Sequence, residues 1–438
     1  MVLQQSIPNG DWMEPNMIPP NMIPILPSMV FTPYQINQDS YFGPDLNGSD
    51  IQKPLCIAIE EIKHALQRIT QQQHEQNHEH NAGTVVDTAV DIDSIIRQNN
   101  NNNNDNNNFV LRIQHVISHS VDPLCWLHQQ DKRQQLQQHQ QQPQRQPMLY
   151  FGNAEQSLEA AIVGAAYHHS GAANETLWKI ISSLPESSHI YGGERFDPNT
   201  HPNEEWKDFG AGIWILPAVE LRRTSTSTTI LSVHLYKTST WAHAAQHCLA
   251  ILNTLTATTS PAIPPTTLPP VISRDAAAPH IDGQDIFEQG VMSALTAFDT
   301  TPLEKVVLAR RSQLLFDAPL SALDLLRKWK FGGMEGGHLF YLDPGGQSNL
   351  KREFLGCTPE RLFRISDSTV VTEALAGTRP RGTTQEEDAQ LSRDLYTDPK
   401  DRAENEITGR FIREQLLKAN AMGLIKKDPS VATGIVNY

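Results

Sequence analysis

Hydrophobic and polar residues alternate with a period of two at 109–118 and 123–127, the mark of half-buried strands, and 147–152 reads as the return strand of a hairpin. The small apolar run 160–167 suits close packing on a sheet. Residues 212–221 read as a buried strand interrupted at Pro217, and 230–236 as a further strand. The period then lengthens. Residues 241–254 read as a helix, and at 285–298 the spacing of Ile286, Val291, Leu295 and Phe298 gives one broad apolar helix face. Strands and a helix, then helix–strand–helix–strand–strand–helix, predict an α/β or α+β protein with large antiparallel sheets.

The pattern breaks at four places. Residues 71–81 are rich in Gln, His, Glu and Asn, 99–108 are nearly all Asn, and 129–146 form a Gln/His/Arg run. Such tracts cannot bury enough apolar area to offset their ordering entropy, so they are expected to be disordered loops. The third would sit at the hairpin tip, where insertions are tolerated. A Thr/Pro/Ala-rich loop over 256–279 separates two halves. The expected organisation is therefore an N-terminal region 1–108 with disordered tracts, an α/β portion 109–255, a Thr/Pro-rich linker 256–283 and a second domain 284–438.

Composition narrows the function. Only 39% of the 438 residues are hydrophobic, but the polar tracts account for much of that deficit, so the remainder can form a sizeable core. A net charge of −14 argues against a nucleic-acid partner, which needs a basic stripe. It leaves room for an anionic small molecule held by local cations or a metal. No apolar run approaches the ~20 residues of a membrane span. The N-terminal stretch has neither a basic n-region nor the Arg and Ser richness of a transit peptide. The four cysteines show no zinc or CxxC spacing and read as reduced, mostly buried thiols. No GxGxxG follows a strand and no GxxxxGK[ST] loop is present, so a nucleotide-binding fold is not expected.

Several residues have the makings of chemistry. Lys305 opens KVVLARR, where a strand would put Lys305, Val307 and Ala309 on one face. It is either a solvated amine or a desolvated base. Glu360, in CTPERLF, either pairs with Arg361 or Arg364 or is a carboxylic acid kept protonated by an apolar site. An apolar, strand-like run at 369–375 ends in the small turn Ala376-Gly377-Thr378, where glycine permits close backbone approach and threonine offers a hydroxyl. Glu404 lies on a helix that Thr397 or Asp398 would cap, with Pro399 in its first turn. At roughly 100° per residue, Glu404 and Phe411 point one way, flanked by Ile407 and Ile412, while Glu406 points to solvent. An inward carboxylate needs a cation. Lys400, one turn away, another basic side chain, or Mg²⁺ with its taste for a few carboxylates plus waters would each serve.

KVVLAR, F-x-G-x-[ST]-P-E-x-L (354–362) and TEALAGTRPRG (372–382), found in this order, resemble the catalytic domain of the chorismate-utilising enzymes, the superfamily of isochorismate, salicylate and anthranilate synthases. The likeness covers 285 to about 426 and extends more loosely to ERFDP (194–198), W-x-x-FG (206–210) and the LPAVEL strand. It implies large antiparallel sheets packed together with helices outside, and chorismate as the small-molecule substrate. It implies that Lys305 is the general base activating water for attack at C2, and Glu360 the general acid for the departing C4 hydroxyl. Ala376, Gly377 and Thr378 would line the ring pocket, and Glu404 would be a Mg²⁺ ligand.

Aminating anthranilate synthases carry Gln where this chain has Lys305, and aminodeoxychorismate synthases carry Lys where it has Ala376, so the resemblance favours water as nucleophile. No residue decides between isochorismate and salicylate as product; the TEALAGTRPRG wording is closer to isochorismate synthases of quinone pathways. A salicylate- or anthranilate-type enzyme and a non-catalytic binding protein of the same fold are the alternatives. Two departures stand out. Ala403 and Asn405 occupy positions where the family has His. The family also continues beyond the equivalent of Tyr438 with a second metal ligand, a substrate-binding Arg and a Gly-rich segment, so the resemblance implies a chain truncated at its C-terminus. In a photosynthetic eukaryote it implies a plastid enzyme of a quinone or salicylate pathway, otherwise a cytoplasmic one.

Overall fold

The computed structural model describes residues 48–72, 84–87, 110–138, 145–153, 158–185, 187–260, 268–274, 283–308, 313–332, 337–346, 350–366 and 369–421. Two of the low-complexity tracts, 71–81 and 99–108, lie almost wholly outside these residues. The third, 129–146, was expected to be a disordered loop, but its residues 129–138 continue the helix that opens at Pro123. The chain folds into two compact units that interleave along the sequence. One takes residues 39–268 and 320–359; the other takes 1–38, 269–319 and 360–438.

The first unit is built on one nine-stranded sheet among the described residues. Its strands are β1 (Thr84–Asp87), β2 (Val110–Ile117), β3 (Met148–Gly152), β4 (Glu159–Ser170), β5 (Tyr191–Glu194), β6 (Gly212–Arg223), β7 (Thr229–Tyr236), β8 (His338–Asp343) and β9 (Phe354–Thr358). They are ordered β1-β2-β7-β6-β4-β3-β8-β9, with β5 on the end of β6. Every pairing is antiparallel except β1 with β2. Helices α1 (Gly48–Gln72), α2 (Pro123–Gln138), α3 (Glu175–Ser182), α4 (Trp241–Thr254) and α5 (Ala322–Phe331) complete the unit.

Side-chain alternation divides the sheet into two faces. Ile113, Val219, Leu221, Leu231 and Val233 join Leu55, Ile62 and Leu66 of α1 and Ala245, Ile251 and Leu252 of α4 in one large core. Leu149, Ala160, Ile162, Ile213 and Ile215 form a smaller core on the other face with Tyr191 and Phe209. The even positions of β2, β6 and β7 add a buried polar patch: Arg112, Glu220, Arg222, Ser232 and His234. Glu220 accepts from Tyr191 Oη at 2.6 Å and Ser232 Oγ at 3.1 Å. The Arg222 guanidinium overcomes burial to hold the Glu220 carboxyl below the usual range. Burial pushes His234 down to about 4.

Several sequence expectations meet a different structure. Residues 123–127 open helix α2 instead of forming a strand. Asp122 caps it, its Oδ1 accepting from Cys125 N–H at 2.8 Å, and Pro123 sits where a missing N–H costs nothing. The expected hairpin is therefore absent, and β3 pairs with β4 and β8 instead. Pro217 does not interrupt its strand. Pro217 lies opposite Ala165, and the partner register slips between Ala165 and Tyr167. Gly164 precedes the slip with φ +74°, and a Cβ there would lie 2.6 Å from Ile251 Cδ1, so only glycine lets α4 lie this close. Helix α1 is an element that the loop-rich reading of the first 108 residues did not contain. Residues 271–274, expected within the linker, pair as a strand with 314–316. The second half of the chain is not one continuous domain, because β8 pairs along β3 and carries 320–359 into the first unit's sheet.

Among its described residues the second unit has two short antiparallel pairs, Val271–Arg274 with Leu314–Phe316 and Arg364–Ser366 with Thr369–Val371. Its helices are Gly283–Thr300, Gln385–Thr397 and Pro399–Ala421. Among the described residues, no helix of either unit is long and apolar enough to cross a membrane.

Candidate functional site

All six candidate site residues fall in the second unit, and helix Pro399–Ala421 organises most of them. Asp398 is its cap: Oδ1 accepts from the N–H groups of Lys400 and Asp401 at 2.9 and 3.0 Å. Glu406 faces solvent, as the helical phase predicts, and Glu404 is half-exposed rather than buried. The nearest cation to Glu404 is Lys400, with Nζ 3.9 Å from Oε1 and itself largely exposed. That pair is too long and too wet to hold either partner firmly.

Lys305 is half-buried on irregular backbone; the expected strand is absent from 303–308, and Ala309 and Arg310 lie outside the described residues. The segment is fastened to the helix by side chains. Lys305 Nζ donates to Thr408 Oγ1 at 3.0 Å, and Thr408 Oγ1 donates to the Glu404 carbonyl at 3.1 Å. The adjacent Glu304 pairs with Arg410. Lys305 and Glu404 are thus brought onto the same stretch of one helix, with Thr408 between them.

The turn 376–378 packs on this helix one turn earlier. Gly377 has φ +78°, and a Cβ on it would lie 2.9 Å from Asp401 Cγ. Arg379 grips Asp401 Oδ2 at 2.6 Å, and Asn405 Nδ2 donates to the Ala374 carbonyl at 2.8 Å. Asn405, which the resemblance marked as a departure, therefore holds the base of the turn. The strand-like run before it is shorter than expected, ending at Val371. Arg381 closes the far side with two bonds of 2.7 Å to Asp388, which depress that carboxyl to about 2. Glu360 is half-buried with Oε1 shielded from solvent. Its neighbour Arg361 donates its backbone N–H to Glu373 Oε1 at 3.2 Å, which ties this loop to the irregular stretch between Val371 and the turn.

Thr408, Asp401 and Asn405 were not among the residues expected from sequence. Their spacing, i, i+4 and i+7 from 401, was the available signal, since it places them on one helix face with Glu404 beside it. For a metal, the described residues provide no group of three or more His, Cys, Asp or Glu that would form a cage. A half-exposed carboxylate with only a long ion pair does suit a single protein ligand to Mg²⁺, whose remaining positions take waters and substrate oxygens. The fit extends to Glu404 alone.

The sequence matches the family model described as chorismate binding enzyme over residues 94–433. It is 30% identical over 261 residues to isochorismate synthase 2, chloroplastic, of Arabidopsis thaliana, covering 58% of this chain and 44% of that one. To isochorismate synthase MenF of Bacillus subtilis it is 27% identical over 230 residues, 52% of this chain and 46% of the other. The chain spans about half the length of the curated relatives it matches. Among solved structures it resembles MenF, the menaquinone-specific isochorismate synthase of Escherichia coli, with a TM-score of 0.60 and 22% identity, over 83% of this chain and 69% of that one. At that identity the likeness is one of fold, and it agrees with the mixed α/β architecture and its large antiparallel sheet. With a family model matched over most of its length, the chain belongs to the chorismate-binding enzymes.

Proposed function

We propose that this chain carries the catalytic residues of an isochorismate synthase. The observation that carries the reading is the seat of Lys305: the one amine the family chemistry needs is hydrogen-bonded, through Thr408, to the helix that bears Glu404. The names of plant and bacterial relatives support it.

In this reading a water adds to C2 of chorismate while the C4 hydroxyl leaves and the ring double bond shifts. Lys305 takes the proton of the attacking water. Glu360 gives a proton to the departing hydroxyl, so that water leaves and the product is an isomer of the substrate. Glu360 is half-buried with Oε1 shielded from solvent, which places its carboxyl where bulk water does not surround it. Ala376, Gly377 and Thr378 line the ring pocket, where Gly377 brings backbone close. A magnesium ion, with Glu404 as one ligand, would supply positive charge for the substrate's ring carboxylate. Plastid residence follows by analogy with two plant relatives named chloroplastic.

The test is incubation of the purified chain with chorismate, with and without Mg²⁺, and chromatographic identification of the product. Isochorismate formed in Mg²⁺ and lost in Lys305→Ala and Glu360→Gln is the expected result. Salicylate with pyruvate would move the assignment to a salicylate-forming enzyme. Thermal stabilisation by chorismate with no product would overturn catalysis in favour of a binding protein.

A further inference from the structure

We propose that Thr408 is the positioning residue for Lys305: its hydroxyl fixes the amine, and with it the direction of the lone pair that receives water's proton. This rests on Lys305 being the base of the proposed reaction.

A threonine hydroxyl has one proton and two lone pairs. In Thr408 the proton is committed to the Glu404 carbonyl, 3.1 Å away and one turn back in the helix. Only lone pairs then face Lys305 Nζ at 3.0 Å. Lysine donates N–H in both of its protonation states. The bond therefore survives proton transfer, and one of the three substituents on nitrogen stays aimed at Thr408 throughout. The remaining directions, including the lone pair of the neutral amine, are confined to a cone set by the helix. Without that anchor a lysine on irregular backbone has a long flexible stem and no fixed head.

The surroundings match an anchoring role. Thr408 is 5% exposed, in a helix whose neighbouring side chains are mostly half-buried or exposed. The Glu304–Arg410 pair holds the residue before Lys305 against the same helix. Asp401, Asn405 and Thr408 lie at i, i+4 and i+7, and they hold Arg379, the Ala374 carbonyl and Lys305 in turn. One helix face thus sets the relative place of the substrate turn and the base. The competing explanation is that Thr408 merely back-bonds to its own helix, as buried threonines often do. In that case the contact to Lys305 is incidental.

The two explanations separate in the full 438-residue chain by replacing Thr408 with valine, which keeps the shape and removes the hydroxyl, and with serine, which keeps the hydroxyl. The first readout needs no turnover: trace acetylation with N-acetoxysuccinimide, scored lysine by lysine by mass spectrometry, with exposed Lys400 and Lys418 as internal standards. In Thr408→Val the Lys305 labelling ratio should change about fivefold, the population change a hydrogen bond of ordinary strength commands. Thr408→Ser should return it to the wild-type ratio. The second readout is chorismate kinetics, where Thr408→Val should lower kcat roughly tenfold to a hundredfold with little change in KM. Serine should rescue kcat. If the valine chain fails to fold by circular dichroism, Thr408→Ala gives the same labelling comparison. An unchanged Lys305 ratio in the valine or alanine chain, or equal loss in serine and valine, overturns the anchor. A changed ratio in a chain that never turns over chorismate upholds the anchor and overturns the isochorismate reading, so the two fail separately.

Discussion

Replacing Gly377 with alanine tests whether the turn 376–378 is seated on the helix that bears Glu404. At φ +78° Gly377 lies in the left-handed region, where an alanine costs about 1–2 kcal/mol. The added Cβ would also stand 2.9 Å from Leu395 Cδ1 and 2.9 Å from Asp401 Cγ. Leu395 can swing a methyl aside. Asp401 is held at both ends, by Arg379 at 2.6 Å and by the Asp398 cap on its own N–H. Loosening that half-buried pair adds about 1 kcal/mol, for a total loss of about 2–3 kcal/mol.

Gly409 supplies the control on the same helix. A Cβ there meets nothing within 4 Å, so Gly409→Ala should gain up to about 1 kcal/mol from helix propensity alone. Urea unfolding followed by circular dichroism measures both variants, and calorimetry measures their chorismate affinity. The expected pattern is opposite signs of stability change, with affinity falling about tenfold or more in Gly377→Ala only. A Gly377→Ala chain as stable as the parent would refute the packing argument. One that is destabilised yet binds chorismate normally would remove the turn from the site.

Three further outcomes follow from the same geometry. His234 donates from Nδ1 to the Pro217 carbonyl at 3.1 Å and accepts at Nε2 from Ser188 at 3.2 Å, and burial pushes it down to about 4. Its unfolded form binds a proton below about 6.5, so the folded chain loses stability as pH falls from there towards 4, by roughly 3 kcal/mol. His234→Gln should flatten that slope in urea titrations at pH 7 to 4.5; an identical slope would contradict the assignment. Glu404→Gln should abolish a magnesium-dependent gain in chorismate affinity of about tenfold, read by calorimetry with and without the ion. Lys305→Ala and Glu360→Gln should each lower isochorismate formation by about 10²–10⁴-fold at unchanged unfolding midpoint; wild-type rates in either would remove its role.

The parts of the fold legible in the sequence are those whose burial shows in a short local run. Residues 212–221 and 230–236 read as strands because they are mostly apolar runs buried on both faces, one meeting α1 and α4 and the other a distinct, partly polar layer. Residues 241–254 read as a helix because Ala245, Cys248, Ile251 and Leu252 return to the core at helical spacing. The same logic, applied to 48–72, would have found α1, since Leu55, Ile59, Ile62, Leu66 and Ile69 follow one another at three- and four-residue steps. Five residues at 123–127 are too few to separate a period of two from one of 3.6. The better signal there was Asp122 before Pro123, a cap and a first-turn proline. Pairing partners were not legible at all: β3 and β8 meet across nearly two hundred residues, and nothing within either names the other.

The candidate site divides along the same line. Lys305, Glu360, the turn at 376–378 and Glu404 could be picked out because each sits in a short run with a recognisable wording. What gives them a geometry could not, because it depends on contacts between runs. Thr408 is 103 residues from Lys305, and Asn405 is 31 from Ala374. A helical wheel shows that 401, 405 and 408 share a face but not what that face meets. Short-range pattern therefore nominates chemical groups, whereas the distances that let a base and a turn act on one ring are set by tertiary contacts. Orientation is worth orders of magnitude in rate when reacting groups must be held within a few tenths of an ångström. The residues most informative about this chain's chemistry are then those with no chemistry of their own, and a threonine hydroxyl is the smallest change that separates a positioned lysine from a merely present one.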